Sequence, residues 1–223
     1  MKCWKLYLVV GMSVVGLGFS SPASAKGKKA SPAVKLKAAK PFAKLKKSLR
    51  TALLKGEIPS TSYSVKMKNG KKAMVAASWA IVKKPIKTVY NEMIKFQDRY
   101  KYMPNSIKSQ VVKRYNKREL HVYQVSKFWW TKIPVNIHVK LTPHTKITWA
   151  LMKNKKNGIK DNLGYWVFEP LNKGKHTLIS YSLYTNTGRS VPSFIKRMIL
   201  RNSLPSVLKN VRKRIMSGGK WHK

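Results

Sequence analysis

Along this chain the spacing of apolar positions changes several times, and each change marks a new element. Phe42, Leu45, Leu49, Ala52 and Leu53 recur at three- and four-residue spacing after Pro41, which predicts an amphipathic helix closed by Gly56. From Ser62 the period becomes two, with Tyr63, Val65 and Met67 alternating against polar residues. Asn69-Gly70 then precedes an apolar run over 73–82, and Asn-Gly between two such runs predicts a tight hairpin. Pro85 opens the next element, where its missing N–H costs nothing. Val89, Tyr90, Met93, Ile94 and Phe96 keep helical spacing up to Tyr100. A loop at Pro104-Asn105 closes it.

The middle of the chain predicts six strands, 107–114, 119–129, 135–141, 146–153, 163–169 and 176–184. They are broken at Asn116-Lys117, Pro134, Pro143, Asn157-Gly158 and 172–174. In the third, Val135, Ile137, Val139 and Leu141 face one way while Asn136, His138 and Lys140 face the other, so one face of the sheet is buried. The last element is a helix from about Pro192 to Met216. Phe194, Ile195, Met198, Ile199, Leu204, Val207, Leu208, Val211 and Ile215 form its apolar stripe, and Pro205 should kink or split it. Its opposite face carries Lys196, Arg197, Arg201, Lys209, Arg212 and Lys213.

The two ends add an address. Lys2 and Lys5, the apolar run over 6–19 and the small-residue stretch Ser21-Pro22-Ala23-Ser24-Ala25 have the charged, hydrophobic and A-x-A parts of a cleavable export signal. The apolar run falls short of the about 20 residues a spanning helix needs, so cleavage after Ala25 is expected rather than a retained anchor. The expected organisation is a signal peptide over 1–25, a basic, partly helical segment over 26–56, one domain over 57–217 and a flexible tail over 218–223. The mature protein is then periplasmic or secreted. Cys3, the only cysteine, leaves with the signal, which excludes disulfides, thiolate metal sites and cysteine nucleophiles from the mature chain.

Charge narrows the choice of partners. The chain holds 48 Lys and Arg against 6 Asp and Glu, a formal net charge of +42, and loss of Lys2 and Lys5 with the signal leaves +40. Such a surface attracts polyanions: anionic membrane surfaces, cell-wall polymers or nucleic acid, the last set apart by export. The basic helix over 42–56 can lie on an anionic membrane or dock on its own domain. Trp129 and Trp130, between Lys127 and Lys132, suit a membrane-facing rim or a stacking surface. They join Lys196, Arg197, Arg201, Lys209, Arg212 and Lys213 as the candidate membrane or polyanion surface.

Catalytic chemistry is thinly represented. The six acids, Glu57, Glu92, Asp98, Glu119, Asp161 and Glu169, are scattered, and Asp98 and Asp161 read as structural. His121, His138, His144, His176 and His222 make no metal-ligand spacing. No phosphate loop, nucleophile elbow or dinucleotide fingerprint occurs. The expectation is therefore no metal, no cofactor and no catalytic residue.

A strand hairpin, a short helix, a run of antiparallel strands and a long final helix follow the order of the helix-grip fold. This is an α+β architecture whose curved antiparallel sheet wraps around the last helix, here with an extra basic N-terminal helix. Residues 80–90, then Phe96-Gln97-Asp98-Arg99-Tyr100 and Met103-Pro104, resemble the opening of START-like proteins, among them polyketide cyclase-like and coenzyme Q-binding lipid transport domains. Residues 161–170 resemble the strand these domains carry before a turn, and Val191-Pro192-Ser193-Phe194-Ile195 resembles the start of their final helix. The similarity covers roughly 57–217. It implies an apolar cavity between sheet and helix for a hydrophobic small molecule or lipid, such as a sterol or quinone, and no particular oligomeric state.

The apolar strand faces then supply the cavity candidates: Trp79, Ile81, Tyr123, Val125, Ile137, Val139, Trp149, Leu151, Trp166, Phe168, Tyr181 and Leu183, with Phe194, Met198 and Ile199 from the helix. The leading reading is an exported, non-enzymatic carrier that touches anionic membranes through its lysines. The alternatives are a polyanion-binding module with a closed cavity, and a cyclase-type enzyme in which Tyr90, Tyr123 or His121 would converge inside the pocket.

Overall fold

The described residues of the computed structural model are 34–67, 70, 72–188 and 203–223. They begin with an extended segment, a 3-10 turn (Phe42–Lys44) and helix α1 (Lys47–Leu54), after which Gly56 turns the chain at φ +83°. The hairpin β1 (Ser60–Lys66) and β2 (Lys72–Val82) leads to α2 (Ile86–Met93), a 3-10 turn (Phe96–Asp98) and α3 (Arg99–Tyr102). Strands β3 (Ser106–Asn116), β4 (Glu119–Phe128), β5 (Thr131–Thr142), β6 (Lys146–Leu151), β7 (Asp161–Leu171) and β8 (His176–Asn186) follow. The last described helix is α4 (Ser203–Met216). The expected signal segment lies outside the described residues, as do Phe194, Lys196, Arg197, Met198, Ile199 and Arg201.

All eight strands form one antiparallel sheet in the order β1-β2-β8-β7-β6-β5-β4-β3. It is a curved helix-grip sheet, with register shifts between β3 and β4 that bend that edge. Pro134, expected as a break, lies inside β5 opposite Val125. The ring is tolerated because β6 pairs with β5 only from Ile137 onward, leaving no neighbouring strand on that side to receive an N–H. Helix α2 stops seven residues before Tyr100, where the expected helix ends, because Lys95 leaves helical geometry at φ −77°, ψ 71°. That break turns Phe96 and Arg99 inward.

At β2 both faces of the sheet are covered, which is why that strand reads as a continuous apolar run. Its inner row, Ala76, Ser78 and Ala80, is small, and α4 packs there through Leu204, Leu208, Val211 and Ile215. The outer row carries Trp79 and Ile81, which pack with Phe42, Leu45, Leu49, Leu53, Leu171 and Leu178. Helix α1 therefore docks on its own domain. The Phe42 N–H donates to Glu169 at 2.8 Å, the Tyr165 hydroxyl to the Lys37 carbonyl at 3.1 Å and Arg212 Nη1 to the Gly56 carbonyl at 2.7 Å. Leu53 is 1 % exposed, so Leu53→Ala should lower unfolding free energy by about 2–3 kcal/mol, read from the urea midpoint. A loss under about 0.5 kcal/mol would show that α1 docks loosely.

The last residues, expected as a flexible tail, are tied down. Trp221 packs against the main core, its N–H donates to Ser217 Oγ at 2.7 Å, and Lys223 Nζ donates to the Met103 and Ser106 carbonyls at 2.9 and 2.6 Å. Among the described residues, no helix is long and apolar enough to cross a membrane.

Candidate ligand-binding site

Between the inner face of the sheet, α3 and α4 lies a cavity of about 210 Å³. Its floor is aromatic. Trp166 stacks on Tyr181 at 3.9 Å and 4°, and Trp149 lies beside both at 6.4 and 6.0 Å. Trp149 can lie across β7 because residue 164 is glycine, whose missing Cβ would otherwise meet the indole and the Ser182 carbonyl. The indole is held by a bond to Asn162 Oδ1 at 2.7 Å, and Asn162 Nδ2 in turn donates to Thr185 Oγ1 at 2.8 Å. Ile137 and Leu183 complete the strand wall, and Val207 faces it from α4.

Five of the sequence candidates thus come together: Ile137, Trp149, Trp166, Tyr181 and Leu183. Val139 and Phe168 face inward but are sealed in the core, and Leu151, opposite Ile137, is buried without lining the cavity. Trp79 and Ile81 belong to the outer face under α1. Tyr123 and Val125 are also corrected to the outer face: Leu120 and Val122 point into the core, which places the alternate residues outward. The inner row of β4 turns polar at Gln124 and Ser126, where it meets the cavity, so hydrophobicity pointed to the wrong row.

The rest of the lining went unread in the sequence. Met103, Pro104 and Asn105 come from the turn after α3, Ser106 from the start of β3, Phe128, Ile133 and Val135 from the ends of β4 and β5 that meet at their turn, Ile159 from the loop before β7, and Thr187 from beyond β8. Arg99 is the least expected. It is 5 % exposed, its Nη2 donates to the Met93 carbonyl at 3.2 Å and its guanidinium lies 4.1 Å over the Phe96 ring. Burial pulls its pKa down, opposed by the nearby hydroxyls of Tyr102 and Tyr181. Burial also pushes the Tyr181 hydroxyl up, keeping it neutral.

The residues a cyclase-type site was expected to gather do not converge. Tyr90 packs edge-on against His144 and Phe168, and His121 meets Asn136 Oδ1 at 2.7 Å on the outer face with Tyr123. Asp98 is held below the usual carboxylate range chiefly by a hydrogen bond from Lys101, and Asp161 meets Lys153 at 3.4 Å. Among the described residues no group of three His, Cys, Asp or Glu is placed to hold a metal.

Trp129 and Trp130 form the β4–β5 turn, between the cavity residues Phe128 and Ile133, and are 63 % and 74 % exposed. Trp129 turns the chain at φ +54°. On helix α4, Lys209 and Lys213 are exposed and Arg212 half-buried. On the outer face a second recess of about 420 Å³ is lined by Lys35, Lys37, Lys140 and Lys146.

No protein-family model matches the sequence, and neither does any curated protein. Solved structures do resemble it. A STAR-related lipid transfer protein from Xanthomonas axonopodis superposes with a TM-score of 0.59 at 16% identity, over 71% of this chain and 93% of that one. A START superfamily protein from Mycobacterium smegmatis gives 0.54 at 14% identity, over 64% and 97%. The fold is START-like. It is not tied to one activity, since an aromatase/cyclase from Streptomyces sp. R1128 also matches, with a TM-score of 0.51 at 12% identity over 73% of this chain and 99% of its own. The START-like sheet and helix account for where this chain keeps its cavity.

Proposed function

We propose that this protein is an exported, non-enzymatic carrier that holds a hydrophobic small molecule or lipid in the cavity and exchanges it at an anionic membrane. The observation that carries this reading is the aromatic-floored cavity whose far end adjoins the exposed Trp129–Trp130 turn. Apolar burial supplies affinity at about 25 cal/mol per Å² removed from water, and paired tryptophans suit a membrane–water interface. The excess of lysine raises the rate of encounter with acidic lipid. The N-terminal segment supplies export, on sequence grounds alone. Organic extraction of the mature protein purified from its own cell envelope, followed by mass spectrometry, tests the reading. A stoichiometric apolar molecule supports it.

Trp129→Ala with Trp130→Ala should weaken partition onto vesicles of mixed phosphatidylcholine and phosphatidylglycerol by roughly 10- to 100-fold, measured by co-sedimentation. Unchanged partition would remove the turn from the membrane contact. The basic outer recess favours a second reading, a polyanion-binding module. Its signature is an empty protein with affinity for acidic polymers that falls steeply as salt rises.

A further inference from the structure

Among the described residues two guanidinium groups are buried, and they are treated differently. Arg214, 4 % exposed, meets Glu92 at 2.9 Å and lies 3.8 Å from Asp98. Arg99, 5 % exposed, meets no carboxylate among the described residues. Each acid of the domain is placed elsewhere. Glu92 and Asp98 serve Arg214, Lys95 and Lys101; Glu119 serves His138 and Lys140; Asp161 serves Lys153; Glu169 accepts from Phe42; and Glu57 is exposed. A buried cation without a counter-charge is costly, and proteins normally pair it.

The unpaired cation also has unused donors. A guanidinium offers five N–H groups, yet the one hydrogen bond Arg99 makes to the described residues runs from Nη2 to the Met93 carbonyl. Its Nε and the adjacent Tyr102 hydroxyl are both buried and neither meets a partner at good hydrogen-bond geometry, although the hydroxyl lies close enough to help hold the guanidinium charged. Arg99 lines the cavity together with Tyr181, Trp166 and Trp149. An aromatic floor beside a buried guanidinium whose Nε has no partner is chemically two-part: it receives an apolar body and one anionic end.

We infer that the cavity takes a hydrophobic monocarboxylate, whose carboxylate is received by Arg99 and whose apolar body lies on Trp149, Trp166 and Tyr181. This rests on the carrier reading above and narrows its cargo from hydrophobic molecules in general to amphiphilic acids. A carboxylate matches the planar guanidinium fork and supplies the missing counter-charge. General attraction of anions to the basic exterior does not explain such a site, because surface attraction is screened by salt while a buried pair is screened much less.

Decanoate and decanol, titrated calorimetrically into the delipidated mature protein at 0.3 M salt, separate the two ideas. Decanoate should bind about 10- to 100-fold tighter than decanol, the worth of a charge-assisted bond in a buried site. Arg99→Met should erase that preference while keeping decanol binding, with a melting temperature equal to or above the original, since an unpaired buried charge has gone. Arg99→Lys, which keeps the charge without the fork, should give an intermediate preference. Equal binding of the two probes by the original protein would overturn the inference and leave the carrier reading standing. So would an Arg99→Met variant that melts lower and loses both probes equally, the mark of a structural arginine. Binding of neither probe would sink both.

Discussion

Glu92→Ala is expected to lower the unfolding free energy by about 3–5 kcal/mol, the range for removing one partner of a buried ion pair. Glu92 lies on α2 and Arg214 on α4, 122 residues apart, and their bond joins the two helices at 2.9 Å inside the core. With Glu92 gone, Arg214 would keep only Asp98 at 3.8 Å as a counter-charge. Its Nη1 also holds the Trp221 carbonyl at 3.1 Å, so the tied-down tail should loosen with it. Urea unfolding measures the loss. Adding Arg214→Met to Glu92→Ala should recover part of the loss, because the stranded charge is then removed too. A cost below about 1 kcal/mol would mean that water reaches the pair and that it behaves like a surface salt bridge.

The fold was legible because its periods are clean where one face alone is buried. The alternation of Val135, Ile137, Val139 and Leu141 against Asn136, His138 and Lys140 placed β5 correctly, and Ile137 and Val139 do point inward. The apolar stripe of α4 was equally clear over its described part, where Leu204, Leu208, Val211 and Ile215 meet the sheet. Periodicity gave out where both faces of a strand are covered. Trp79 and Ile81 looked like cavity residues because nothing in β2 distinguishes the row under α1 from the row under α4 except size.

The misplacement of Tyr123 and Val125 has a different physical root. A binding cavity needs some polar groups, and polar groups on an inward row imitate an outward one. Gln124 and Ser126 line the cavity from β4, and their polarity shifted the expected cavity face onto Tyr123 and Val125. Arg99 was hidden by composition: as one of 48 Lys and Arg, it carries no signal until its burial is known. The wall residues that were found, Ile137, Trp149, Trp166, Tyr181 and Leu183, are the large apolar ones whose position in the alternation left no second choice.

Val207→Trp should weaken decanoate binding by roughly 100-fold while shifting the melting temperature by no more than a few degrees. Val207 is half-buried on α4 and lines the cavity from the side opposite the sheet. An indole there would occupy part of the about 210 Å³ that a ligand needs. Overpacking ordinarily costs about 1–3 kcal/mol in a filled core, but here the added atoms enter open space. The test is cleaner than truncating a wall residue: Trp166, 2 % exposed and stacked on Tyr181, would take core stability with it. The substitution leaves the Trp129–Trp130 turn untouched, so vesicle partition should stay unchanged, which separates holding the cargo from meeting the membrane. Full retention of decanoate binding would place the ligand elsewhere on the molecule, and the outer recess lined by Lys35, Lys37, Lys140 and Lys146 would become the site to test.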